Sequence, residues 1–271
     1  MRGNVGKKNK HKPSGLIGSD QVGLWFDQAY QAILDEDWDR AIRICKRIMV
    51  YFPPKSKERG NALAILANAY LLQHEFESAY QALSEALSMA PEEADFWYNR
   101  GIVDRFLFLI GQSVRDFEQA LLLTSIPIMA IKIKEELKVS EKLAQSELSL
   151  RKKGFTIDQL IDQEEYFHQG SLFMQENKWE DAEQAFRNAI NMSDCLPNPQ
   201  GNLGICLLMQ RRFEEAERAL KRALEIDKNY DLARQNLQIL EEVKNGDPLP
   251  YLKMNEPFKG KVKISNIIYH Q

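Results

Sequence analysis

Glu164 and His168 stand four residues apart, a spacing that brings a carboxylate beside an imidazole on one helical face. Such a pair can pass a proton, but nothing else with ligand chemistry falls at helical spacing from it. A metal site needs three or four donors, so a solvated helix face is the expected role. Cys195 and Cys206 flank Pro197 and Pro199 without a matched histidine, and Cys45 falls in a bulky apolar slot. The three cysteines form no Cys-x-x-Cys, and an odd thiol argues against a disulfide framework. The sequence also lacks a glycine-rich phosphate loop, a Gly-x-Ser-x-Gly and a His-Glu-x-x-His. No catalytic residue, metal or cofactor is therefore expected, and binding is the chemistry to look for.

Charge is distributed unevenly. Residues 1–20 carry five basic groups and one acid, and residues 244–271 carry five lysines and two acids. With the whole chain at −3, the middle, 21–243, carries −10. Lys7-Lys8-Asn9-Lys10-His11-Lys12 offers a competing contact with nucleic acid or an anionic surface by counterion release. The arm has no stacking aromatics, and an acidic body repels phosphates, so a solubilising tail is the favoured role. The basic start runs into Pro13-Ser14-Gly15 with no apolar signal core, and the longest apolar run, Phe106 to Ile110, is too short to span a bilayer. A reducing, cytoplasmic setting is expected.

The elements that would position a binding surface come from a recurring pattern. Trp38–Ala41–Cys45–Ile48, Phe76–Ala79–Leu83–Ala86, Trp179–Ala182–Phe186–Ala189 and Phe213–Ala216–Leu220–Ala223 share one spacing. Ala41 to Ala79 is 38 residues and Ala182 to Ala216 is 34. Self-similarity at that period marks a solenoid, in which each unit buries its apolar face only against its neighbours.

These units resemble tetratricopeptide repeats, whose pattern is Trp-x2-Leu-Gly-x2-Tyr, then Ala-x3-Phe, then Pro. The second unit carries Leu63, Leu66, Ala67, Tyr70, Ala79, Leu83, Ala86 and Pro91. The third has Trp97, Gly101, Phe117 and Ala120, but Ser113 in an Ala slot and Asp104 in the Tyr slot. The fourth has Tyr166, Gly170, Phe173, Trp179, Ala182, Phe186 and Ala189; the fifth has Leu203, Gly204, Leu207, Phe213, Ala216, Leu220 and Ala223. The first is weaker, with Gln28 in the Leu slot and Ile48 in a small one. The resemblance implies an all-α fold, a right-handed superhelical α-solenoid of helical hairpins closed by a C-terminal capping helix.

The chain divides accordingly. Residues 1–21 form a basic arm with little to bury, and 22–127 hold repeats one to three. Residues 128–155 read as one long connecting helix or a degenerate repeat. Residues 156–245 hold repeats four and five plus a cap over Asp231 to Val243, and 246–271 form an extended tail. Within the tail, Lys261-Val262-Lys263-Ile264-Ser265 alternates as a strand does, and residues 249–269 could dock on the solenoid or pair with a second copy.

The resemblance also implies a concave surface lined by the first helix of each hairpin. Its slots hold Phe26, Tyr30 and Ile33, then Asn61, Asn68 and Leu71, then Asp95, Tyr98, Ile102 and Arg105. Repeat four adds Phe167, Ser171 and Met174, and repeat five Asn198, Ile205 and Leu208. Tyr30, Tyr98, Ile102 and Phe167 are the expected anchors for a protein or peptide partner; Asn68, Asn99 and Arg105 would fix a backbone or carboxylate. In co-chaperones of this family a clamp of two lysines, two asparagines and an arginine grips an acidic C-terminus. Here Asn68 and Asn99 fall in the amide slots, but Ala64 takes a lysine slot, which disfavours that ligand.

Overall fold

Residues 19–246 are described by a computed structural model, and the chain there reverses direction through one turn used repeatedly. The helices run α1 (Ser19–Leu34), α2 (Trp38–Tyr51), α3 (Lys57–Leu72), α4 (Phe76–Met89), α5 (Ala94–Phe106) and α6 (Ile110–Leu123). They continue as α7 (Pro127–Ser149), α8 (Ile157–Gln175), α9 (Trp179–Met192), α10 (Pro197–Met209), α11 (Phe213–Ile226) and α12 (Asp231–Lys244). No strand occurs among the described residues, and the fold is an all-α solenoid of helical hairpins. The expectations for residues 1–18 of the basic arm and for residues 249–269 lie outside the described residues, while Ser19–Gln21, placed in the arm, begin α1.

Local chemistry sets the helix starts. Ser56 and Asp37 accept hydrogen bonds from the amides of Arg59 and Arg40, and Thr156 with Gln159 forms a reciprocal capping box. Pro127 and Pro197 sit where a missing amide proton leaves nothing unsatisfied. Within each hairpin one residue lies in the left-handed region: Glu36, His74, Phe108, Asn177 and Arg211, with φ between 58° and 62°. The residue after it donates to a carbonyl five back, as in Glu75 N–H to Tyr70 O at 2.8 Å and Arg212 N–H to Leu207 O at 2.9 Å. None of the five is glycine, so each carries the steric penalty of a Cβ in that region.

The hairpins close over one small slot. A Cβ added at Gly170 would stand 2.7 Å from the ring of the fully buried Phe186, and one at Gly204 would stand 2.6 Å from Leu220. Gly101 meets Phe117 in the same way at 3.1 Å, while Ala29 and Ala67 occupy the slot in the first two hairpins and are fully buried. Hairpins α1–α2, α3–α4 and α5–α6 then stack, each second helix lying along the next first helix. The same holds for α8–α9 and α10–α11, and α12 caps them by burying Ala233, Asn236, Leu240 and Val243.

α7 interrupts this order. It lies along α6 as a first helix would, yet it does not pair with α8 as a hairpin. Its inner seam, Ile133, Leu137, Ser140, Ala144 and Glu147, steps by four and three as in a coiled coil. Ser140 Oγ lies 2.7 Å from Ser113 Oγ, so the serine that departs from the repeat pattern finds its partner on α7. α8 instead touches α4 and α6, which divides the described chain into a first block, α1–α6, and a second, α8–α12.

Two stability effects follow. Gly170→Val places two methyl groups inside the Phe186 contact and should cost about 2–3 kcal/mol in urea unfolding. Arg211→Gly removes a left-handed Cβ at an exposed position and should stabilise by about 0.5–1 kcal/mol, net of the extra freedom glycine has when unfolded.

Candidate functional site

The first helices α1, α3 and α5 present the inner face of the first block, and it is open. Tyr30 is 54% exposed, and Phe26, Ile33, Asn61, Asn68, Leu71, Asn99 and Ile102 are half-buried. Asp27 and Asp95 are exposed beside them. Burial and then the neighbouring Asp95 carboxylate push the Tyr30 hydroxyl above its ordinary titration range, so it remains a neutral donor at physiological pH.

Toward α7 the same face closes. Lys132 stands over the Tyr98 ring at 5.1 Å, and Ile133 joins Tyr98 and Phe117 in one buried cluster. Burial first, and Glu136 second, push the Tyr98 hydroxyl up to about 12. Arg105 donates to Glu136 of α7 and is itself buried. Tyr98 and Arg105 thus hold α7 in place, where the slot pattern had placed Tyr98 as an anchor for a partner and Arg105 to fix its backbone or a carboxylate. Isolated sequence slots could not show this, because Glu136 and Lys132 sit on a helix outside the repeat pattern.

The second block has no open equivalent. Phe167, Met174 and Ile205 are buried, as are Asn198 and Leu208, leaving Ser171 half-exposed. Phe167 packs on Phe186 with ring centroids 5.4 Å apart, and one core takes in Phe167, Met174, Ile205 and Leu208. Phe108, from the α5–α6 turn of the first block, packs against that core. Five of the ten expected groove residues, Tyr98, Arg105, Phe167, Met174 and Ile205, are therefore buried in this structure. Phe26, Tyr30, Asn68, Asn99 and Ile102 remain accessible on the first block.

Glu164 and His168 do not form a solvated face. Glu164 is 1% exposed and its Oε2 accepts the Gly111 amide at 2.8 Å. His168 Nε2 lies 2.8 Å from Glu77 Oε2 and its ring meets Tyr80 edge-on. The two side chains engage different elements and do not converge on a cleft. Burial pushes the Cys45 thiol up to about 12 and raises Cys206 as well, so neither is a thiolate at neutral pH. Among the described residues no group of three or more His, Cys, Asp or Glu is placed to hold a metal ion, and no helix is long and apolar enough to cross a membrane.

One apolar surface was not legible as a site. Leu122, Ile126, Ile128 and Ile131 stand exposed at the corner between α6 and α7. Their signal in the sequence, an aliphatic run around Pro127, reads equally well as core.

No curated protein matches the chain. Solved structures similar to it include the TPR2AB domain of yeast Sti1 in complex with pHSP90, at 16% identity over 84% of this chain and 85% of that one, TM-score 0.41. A tetratricopeptide repeat protein from Parabacteroides merdae is 15% identical over 82% of this chain and 100% of its own, TM-score 0.38. YrrB, described as a TPR protein with an unusual peptide-binding site, is 15% identical over 79% and 90%, TM-score 0.35. Two family models described as tetratricopeptide repeat match residues 66–103 and 173–238, covering parts of both blocks. With the five turns and the small slot recurring alongside them, these two segments are tetratricopeptide repeats, and the described residues form a solenoid built on that pattern.

Proposed function

We propose that the chain is a scaffold that holds a partner polypeptide along the inner face of its first block. The observation that carries this reading is the contrast between the two blocks. The same slots that are sealed in repeats four and five leave Tyr30, Phe26, Ile33, Leu71 and Ile102 accessible in repeats one to three. Contiguous apolar side chains kept at a surface are the usual mark of a binding site.

The charges around this face define what it accepts. Arg105 is paired with Glu136 and Arg100 with Asp116, while Asp27 and Asp95 are exposed. Ala64 is buried where a carboxylate clamp requires lysine. An acidic C-terminal tail therefore lacks the clamp lysine, with Lys132 standing only at the α7 end of the face over Tyr98, whereas a segment with aliphatic or aromatic side chains and a Lys or Arg finds both apolar contact and an acid beside Tyr30. Asn68 and Asn99 can hydrogen-bond the backbone of such a segment.

A peptide library displayed against the full chain should yield apolar sequences containing Lys or Arg, with acidic carboxyl-terminal sequences absent. Tyr30→Ala should weaken a selected peptide about tenfold or more, roughly 1.4 kcal/mol. Asp95→Lys should act selectively on peptides that carry the basic residue. Unchanged affinity in both variants, with the helical content of the wild type, would place the contact elsewhere and refute the reading.

A further inference from the structure

The two blocks meet along one face of α8. Its residues Asp158, Ile161, Glu164 and His168 step by three, three and four, and all four touch the first block. Asp158 pairs with Arg115 of α6 at 2.5 Å, Ile161 lies against Gly111, Glu164 accepts the Gly111 amide, and His168 meets Glu77 of α4. α8 spans 19 residues, and its first turns, before the repeat pattern begins, supply Asp158 and Ile161. Phe108 completes the joint by packing into the second block's core from a left-handed turn position.

At the centre of this joint the buried charges do not balance. Asp104, Asp116, Glu147 and Glu164 are each 3% exposed or less. The cations available to them are Arg100 and Arg151. Arg100 grips Asp116 through Nε at 2.6 Å and Nη2 at 3.0 Å, and Arg151 donates to Glu147 at 3.0 Å and to Gln163 at 2.8 Å. Four acids therefore face two cations. No N–H donates to either carboxyl oxygen of Asp104, whose neighbour there is the Asp116 carboxyl, and Glu164 Oε1 receives no hydrogen bond. An ionised carboxyl in that setting, taken out of water beside other carboxyls with too few donors, costs several kcal/mol and keeps its proton instead.

We propose that the joint between the two repeat blocks is a proton-linked closure: docking of α8 on α4 and α6 requires protons on Asp104 and Glu164, and their loss releases the second block from the first.

Directional shifts agree. Burial, then the Asp116 carboxylate beside it, raises Asp104 well above the ordinary carboxyl range despite Arg100, and Glu164 adds to the effect. Burial raises Glu164 as well, outweighing the Gly111 amide and Arg151, which favour the ion. The other titratable groups at the joint include Tyr80 and Glu77 on α4, Arg115 and Glu118 on α6, and Asp158 and His168 on α8. Both carboxyls bind protons more tightly docked than free. Their contribution is complete below the free-carboxyl values near 4 and is lost as pH rises through the raised docked-state values.

Hydrogen exchange of the full chain, read by mass spectrometry from about pH 5 to about pH 9 and corrected for the intrinsic base-catalysed rate, tests this. Protection of α8 and of the first turn of α6 should fall with pH by about tenfold per unit for each proton released, while α3 stays protected. Asp104→Asn with Glu164→Gln keeps both groups neutral and should leave α8 protected across the range; Asp104→Asn alone should reduce the slope. His168→Gln should retain the slope. The proposal is overturned by a flat wild-type profile, by a slope that survives in Asp104→Asn with Glu164→Gln, or by one that vanishes in His168→Gln. If the double variant does not fold, the wild-type profile and the Asp104→Asn slope still decide.

Discussion

Everything in the array rests on how closely the two helices of a hairpin can approach at one slot. The slot is filled by Ala29, Ala67, Gly101, Gly170 and Gly204, and the facing position by Cys45, Leu83, Phe117, Phe186 and Leu220. Both phenylalanines face glycine, and the alanines face smaller partners. Volume is thus traded only in part across the crossing, since leucine faces alanine in one hairpin and glycine in another; what recurs is a small residue opposite the facing side chain, which lets the helices pack closely. The five left-handed turns bring the helices back to this same approach each time, and they do so without glycine because the crossing fixes where the second helix must start.

A solenoid unit cannot bury its outer faces alone, so an odd helix in the series has to be compensated. α7 takes the place of a first helix along α6 but supplies no second helix for the following unit to stack on. The chain answers with polar contacts. Ser113 meets Ser140 where a small apolar residue would otherwise sit, Arg105 and Glu136 hold α7 to α5, and α8 is lengthened to reach the ends of α4 and α6. Asp104, standing where the repeat pattern has Tyr, lies in the same region. The two departures from the pattern in repeat three thus fall where the regular stack ends, as expected when local rules yield to a second requirement.

This divides what could be read in the sequence from what could not. Periodicity found the hairpins because the small slot and its bulky partner recur at fixed spacing, a constraint internal to each unit. It also picked out Ser113 and Asp104 as misfits. It could not say what they answer to, since Ser140 and Glu164 lie 27 and 60 residues further along and outside the unit. The groove suffered in the same way. Tyr30, Asn68 and Ile102 sit where neighbouring units leave room, and Tyr98 and Arg105 sit under α7, although slot number treats all five alike. Glu164 and His168 looked like a solvated pair because helical spacing records which face a residue shares and not what that face meets.

An apolar side chain cannot serve a core and a ligand at once, and the two blocks resolve this in opposite ways. In the second block Phe167, Met174, Ile205 and Leu208 are committed to one core, which also accepts Phe108 from the first. That commitment gives α8 the firm backing it needs to carry a polar joint on its other side. In the first block no helix among the described residues covers Tyr30 and Phe26, so their apolar surface is exposed there and the acids Asp27 and Asp95 stay hydrated beside it. An open apolar face and a closed core thus arise from one repeat pattern, separated by the single helix that breaks it.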